Sequence, residues 1–247
     1  MVDCKNSGFS LVEISVVILI VAVLLGSSVV SYSKMNDKQQ RQKTEYLIEE
    51  VQRALIGYAI TNGYLPCPDV GVDINNATQP AFDGGEDRDP LTNDCRLVYG
   101  VLPWKDLGVR EFDFYGNHLS YHVDPLYSER AIPCNHTPGV LNVDVIDQGV
   151  TTNYNMVAAV VVSFGKNGLG HLSRVPAGPS AYVSHTSVAG STIDLDLDLI
   201  SDEQENADYL NGGASASNNN YIQKSGDDIL TFVSPISLRS HPEMACQ

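Results

Sequence analysis

Positive charge is scarce in this chain. Lys and Arg number 15 against 30 Asp and Glu, a formal net charge of −15 over 247 residues. A surface that acidic repels phosphate backbones, so no nucleic-acid partner is expected. Proline is missing from Phe9 to Asn62, and nothing there forces a helix to stop or kink. The cysteines lack the close spacing, roughly two to four residues, that structural zinc prefers. No Gly-x-Ser-x-Gly or comparable nucleophile motif occurs, so the chain is not expected to be an enzyme. Gly165-Lys166 is followed by neither Ser nor Thr and lacks the glycine spacing of a phosphate loop; a turn after a strand is the reading. Hydrophobic residues make up 43%, too few for a multi-span membrane protein.

What is present begins near the amino terminus. From Phe9 to Val30 the chain is almost wholly apolar. As a helix that stretch rises about 33 Å, enough to cross a hydrocarbon core of about 30 Å once. It is longer than the apolar region of an ordinary secretory signal. One carboxylate, Glu13, interrupts it. A charge inside a membrane helix costs roughly 2.5–3.5 kcal/mol unless paired or able to reach the interface. Glu13 lies one turn from Phe9, within reach of a terminal amine there. Pairing across subunits would set the axial register of neighbouring helices, whereas snorkelling toward headgroups is the alternative.

Beyond Val30 the pattern becomes amphipathic. Leu47, Val51, Ala54, Leu55 and Tyr58 recur at helical spacing, and Asn62-Gly63 with Pro66 predicts the stop. Residues 64–97 read as a loop broken by proline and glycine. Its Asp83, Glu86, Asp87 and Asp89 lack EF-hand spacing and read as solvated rather than cation-binding. Trp104, the single tryptophan, is expected to anchor a core. Asp113 to Asn117 is a turn signal before an alternating strand at 118–123. His118 and His122 would share one exposed face of that strand. Residues 156–164 read as one buried strand, 175–220 as a surface excursion, and 226–233 as the last strand, stopped by Pro235.

Gly8-Phe9-Ser10-Leu11-Val12-Glu13, placed after a short polar leader and before a spanning run, resembles the processing site of type IV prepilins and type II secretion pseudopilins. The resemblance implies that prepilin peptidase removes residues 1–8, cutting after Gly8 and methylating Phe9. It implies that Glu13 pairs with the terminal amine of a neighbouring subunit. The expected fold is α+β: a spine helix over 9–62, transmembrane over 9–30, packed on an antiparallel sheet in a periplasmic domain over 63–247. The expected role is structural, as a minor pilin or pseudopilin held in the bacterial inner membrane before assembly with other subunits. Val30 stands where many pilins have proline, which leans away from a major pilin. The rival reading is a ligand-binding or adhesive tip subunit, or a membrane-anchored periplasmic binding protein.

Leu65-Pro66-Cys67-Pro68-Asp69, Leu102-Pro103-Trp104 and the Gly116-Asn117 turn are similar to segments of other prepilin-like proteins. The 113–117 turn is similar to the start of the sheet in the major pseudopilin, with Phe114-Tyr115 in place of the usual Pro-Trp. That likeness makes Asn167, Asp227 and Asp228 the candidate calcium ligands. Cys4 falls in the leader, leaving Cys67, Cys95, Cys134 and Cys246 on the exported side. Two disulfides have three possible connectivities; Cys67–Cys95 and Cys134–Cys246 are favoured because the first pair is nearest in sequence. A count of Lys34, Lys38, Arg41 and Lys43 behind the apolar run would by itself place the large domain in the cytoplasm. The leader motif and the even cysteines point instead to export.

Overall fold

The computed structural model describes residues 10–70, 82–128, 140–147, 150–168, 172–173, 184–185, 220–223 and 228–239. In the first helix the side chains of residues 23–33 fall outside that description. The chain divides into two compact units, residues 1–42 and 43–247.

Helix α1 runs 52 residues, Leu11–Asn62. It ends at Asn62, where the spacing of Asn-Gly predicts. Gly63 turns left-handed (φ 83°) and its N–H donates to the Ala59 carbonyl at 2.8 Å, a glycine stop that a Cβ would strain. In the first unit the described apolar side chains of α1 stand open, among them Leu11 at 88% and Leu19 at 66% exposure. Among the described residues no helix is long and apolar enough to cross a membrane. The expected span over 9–30 has described side chains only from 10 to 22, short of the ~20 apolar residues a crossing needs.

In the second unit Leu47, Ile48, Val51, Leu55 and Ala59 of α1 are buried. Their recurrence every three or four residues forms one stripe, and that stripe covers a sheet. The sheet has four strands in the order β1 (Tyr99–Val101), β2 (Ser120–Val123), β5 (Ala159–Ser163), β9 (Ile229–Val233), all antiparallel. Its other face lies against a three-stranded sheet of β4 (Val150–Val157), β3 (Leu141–Asp147) and β8 (Asn220–Gln223). Two cores result. Leu119, Tyr121, Val123, Ala159 and Val161 join α1 in the first. Val160, Val162, Leu141, Val143 and Tyr221 form the second. A strand covered on both sides must be apolar on both sides, which is why β5 reads Ala-Val-Val-Val-Ser without alternation. Strands β6 (Leu172–Ser173) and β7 (Ser184–His185) pair separately. Short helices α2 (Trp104–Leu107) and α3 (Pro125–Ser128) lie on either side of β2, and α4 (Pro235–Arg239) follows β9.

The structure departs from the expectations in three places. The second sheet is mixed, because β3 and β8 run parallel while β3 and β4 are antiparallel. The apolar run at 156–164 is two strands: Met156 is the extra residue of a bulge, at φ 63°, and Ala158 carries the chain from β4 into β5. His118 and His122 are buried, at 6% and 2% exposure, instead of facing solvent. His122 lies on the face of β2 that the second sheet covers, while His118, just before β2, packs among Phe82, Trp104 and Phe112.

Candidate functional site

The candidate site at the start of α1 is a two-way hydrogen bond. The Ser10 N–H donates to Glu13 Oε2 at 2.9 Å, and the Glu13 N–H donates to Ser10 Oγ at 3.3 Å. Ser10 is the N-cap and Glu13 the third helical residue, so each side chain satisfies a backbone donor the helix cannot reach. The carboxylate also lies at the positive end of the helix dipole. Around it Leu11, Val12, Ile14 and Val16 are exposed, leaving Glu13 as the single acid in an uncovered apolar surface. Ser-x-x-Glu before an apolar run is a capping box legible in any sequence, yet the resemblance drew attention to Glu13 alone. Gly8 and Phe9 lie outside the described residues.

The acidic loop at 82–97 is partly solvated, with Asp83 exposed and Glu86, Asp87 and Asp89 half-buried, and its carboxylates are engaged by hydrogen bonds within the loop and to its neighbours. Glu86 accepts from Tyr58 Oη at 3.0 Å, the Cys67 N–H at 3.0 Å and Arg88 Nε at 2.9 Å. Arg88 also donates to the carbonyls of Leu65, Asn93 and Ser128 and lies over the Tyr64 ring at 4.3 Å. Asp69, at 1% exposure, receives the Gly84 N–H at 2.7 Å. Asp83, Asp87 and Asp106 receive the N–H groups of Gly85, Val70 and Glu86. The N–H groups of Leu91 and Thr92 hold Asp89 below its ordinary pKa. Burial, with Glu86 beside it, raises the Tyr58 phenol. A disulfide, Cys67–Cys95, closes the loop onto the end of α1. Gly84 sits where a Cβ would meet the Trp104 ring at 2.5 Å, so that glycine lets the loop lie flat on α2. Cys134 and Cys246 lie outside the described residues.

Of the calcium candidates, Asn167 follows β5 and Asp228 precedes β9; the pairing Ser163↔Ile229 puts both at one end of the sheet. Asp227 lies outside the described residues. The oxygens at that end are partly committed. Asp113 receives the N–H groups of Tyr115 and Asn117 on one oxygen and the Ser163 hydroxyl on the other, at 2.7–2.8 Å. The Gly165 carbonyl accepts from Asn117 Nδ2 at 2.8 Å. Among the described residues no cluster of His, Cys, Asp and Glu could hold a metal, and calcium takes roughly six to eight oxygens. Nothing in the spacing of Asp113 and Ser163, fifty residues apart, pointed to their contact.

Between the sheets, His122 Nδ1 lies 3.0 Å from Tyr221 Oη. Burial lowers its pKa to about 3, so the ring is neutral at ordinary pH. His118 lies among Phe82, Trp104 and Phe112. The histidines are core parts.

Among the described residues the amino-terminal helix stands out, with one acid in an exposed apolar surface. Residues 3–29 match the prokaryotic N-terminal methylation motif, the signature of type IV pilin and pseudopilin prepilin-type proteins. Residues 3–29 thus carry the prepilin-type signature, a motif that in general implies processing by prepilin peptidase and assembly with other pilin subunits. No curated protein and no solved structure matches the chain.

Proposed function

We propose that this chain is a minor subunit, pilin or pseudopilin, of a type IV pilus or type II secretion filament. Cleavage after Gly8 frees the Phe9 amine, which is methylated, and residues 9–30 hold the subunit in the inner membrane with 63–247 in the periplasm. On assembly Glu13 exchanges the Ser10 N–H for the terminal amine of a neighbour. The observation carrying this reading is the lone carboxylate in the exposed apolar surface of α1. An acid there has no stabilising role in lipid beyond its cap, and a cationic amine from a neighbour would neutralise it. Apolar contact between helices supplies the bulk of assembly, and the charge pair sets their register.

Mass spectrometry of the protein purified from its own membrane tests the processing: the expected terminus is N-methylated Phe9. A terminus near Ser33, or an intact leader in cells with active prepilin peptidase, overturns the reading. Glu13→Ala separates register from anchoring. Membrane insertion is expected to persist and incorporation into filaments to fall by at least tenfold; normal incorporation removes the register role.

A further inference from the structure

Of the four outer strands of the two main sheets in the second unit, β1 and β9 have their edges engaged, β8 lies near β9, and β4 has β3 alone as strand neighbour among the described residues. At β1, Asp69 and Val101 exchange two main-chain hydrogen bonds of 2.9 Å. At β9, Gln52 Nε2 donates to the Phe232 carbonyl at 2.6 Å. Strand β4 has eight residues, seven of them exposed, and among the described residues β3 is its one strand neighbour. A bulge at Met156 disturbs its far end, where the Met156 N–H bonds the Asn142 side chain. Residues 150–155 stay regular. Natural edges are blunted with lysine, proline or inward charge. Val150-Thr151-Thr152-Asn153-Tyr154-Asn155 has none, in a chain where 18% of residues are charged.

We propose that β4 is a surface through which two copies of this chain associate, by antiparallel edge-to-edge pairing of their β4 strands. A two-fold axis normal to the sheet sets the Val150, Thr152, Tyr154 row of one copy beside the same row of the other, because side chains alternate by two. The Thr151, Asn153, Asn155 row meets itself in the same way. The apolar members are available: Val150 is 65% and Tyr154 43% exposed. Charge selects this edge for a like partner. Copies carrying −15 each repel one another over most approaches, whereas two β4 edges meet without a single like-charge pair. The pairing is carried by main-chain hydrogen bonds, with the side-chain rows fixing register. One strand per copy is a small interface, so the association is weak and serves molecules already concentrated, as on a membrane or along a filament. The inference does not depend on how the amino terminus is processed.

The test uses the full chain in detergent with single substitutions Thr151→Cys, Asn153→Cys and Asn155→Cys, mild oxidation, and the parent chain as background. At least one position should yield a homodimer tenfold above an exposed control, Lys105→Cys on α2. Adding Thr152→Lys, which sets two lysines across the axis, should lower that yield at least fivefold with Tm unchanged. Thr152→Glu repeats the test should lysine destabilise the strand. Three results overturn the proposal: yields equal to the control, a dimer indifferent to both charged variants, or β4 cysteines that capture only a different protein.

Discussion

The two ends of α1 are equally continuous as helix and opposite in every other respect. Near its start, Leu11, Val12, Ile14, Val16, Val17 and Ile18 lie open on all sides. Near its end, Leu47, Ile48, Val51, Leu55 and Ala59 are covered while Glu45, Glu49 and Glu50 stay in water. Apolar content alone does not decide burial. A stripe every three or four residues matches one sheet face, and an apolar surface all round matches only lipid or other helices. One end of the helix is therefore completed within the chain, and the other calls for something outside it.

Substitutions separate the two ends most sharply in the core. Leu55→Ala removes a side chain with no exposed surface and should cost about 2–5 kcal/mol, seen as a lower Tm of the full chain. Leu19→Ala, exposed by two thirds, should leave that transition in place. Equal losses at the two sites would break the contrast.

Replacing Cys67 and Cys95 by serine opens a loop of 28-residue separation. The expected cost is about 2–4 kcal/mol, measured by urea unfolding, with the start of α1 unaffected. The Leu65 and Arg96 backbone N–H groups, bonded to the Tyr127 and Asp87 carbonyls, should then exchange their protons faster, since the bridge no longer holds the loop to the helix end.

Acid supplies a smaller effect confined to the second unit. His122 has its pKa lowered to about 3 by burial, against an ordinary value of about 6.5. The unfolded chain binds a proton that the folded one refuses, so stability is full above about pH 6.5 and falls as pH drops toward 3. Between pH 6.5 and 4.5 the loss should reach about 2–3 kcal/mol, near 1.4 kcal/mol per pH unit. His122→Gln should flatten the denaturant midpoint across that window. An unchanged slope would mean that the ring is protonated in place.

The smallest effect lies at the exposed end. Ser10→Ala removes one half of the capping box and should cost the first turn of α1 about 1 kcal/mol or less. Fraying of residues 10–14 by hydrogen exchange would report it while Tm stays constant. A matching loss of filament incorporation would tie the cap to assembly, and unaltered incorporation would leave Glu13 acting through its charge alone.

How much of this was readable before folding varies by element. The helix stop at Asn62-Gly63 is local chemistry, and it fell where the residues predict. The Ser10 to Glu13 cap is equally local, legible as Ser-x-x-Glu before an apolar run. The prepilin signature is a short contiguous pattern, and the match at residues 3–29 rests on it. By contrast, the histidines of β2 alternate like an exposed face. His122 is covered by a sheet built from residues 141–157 and 220–223, and His118 by Phe82, Trp104 and Phe112, and no pattern within 118–123 records either cover.

The amino-acid sequence by itself determined what depends on neighbours along the chain: the uninterrupted helix, its cap and stop, the apolar start with its one acid, and the processing signature. Tertiary structure alone decided which acids are spent on backbone donors, that Asp113 and Ser163 meet, that His122 stays neutral, and that β3 is the one strand beside β4 among the described residues. The physical reason is range. Capping, periodicity and cleavage motifs act within a few residues, whereas burial and hydrogen-bond satisfaction are set by partners brought from fifty or a hundred positions away.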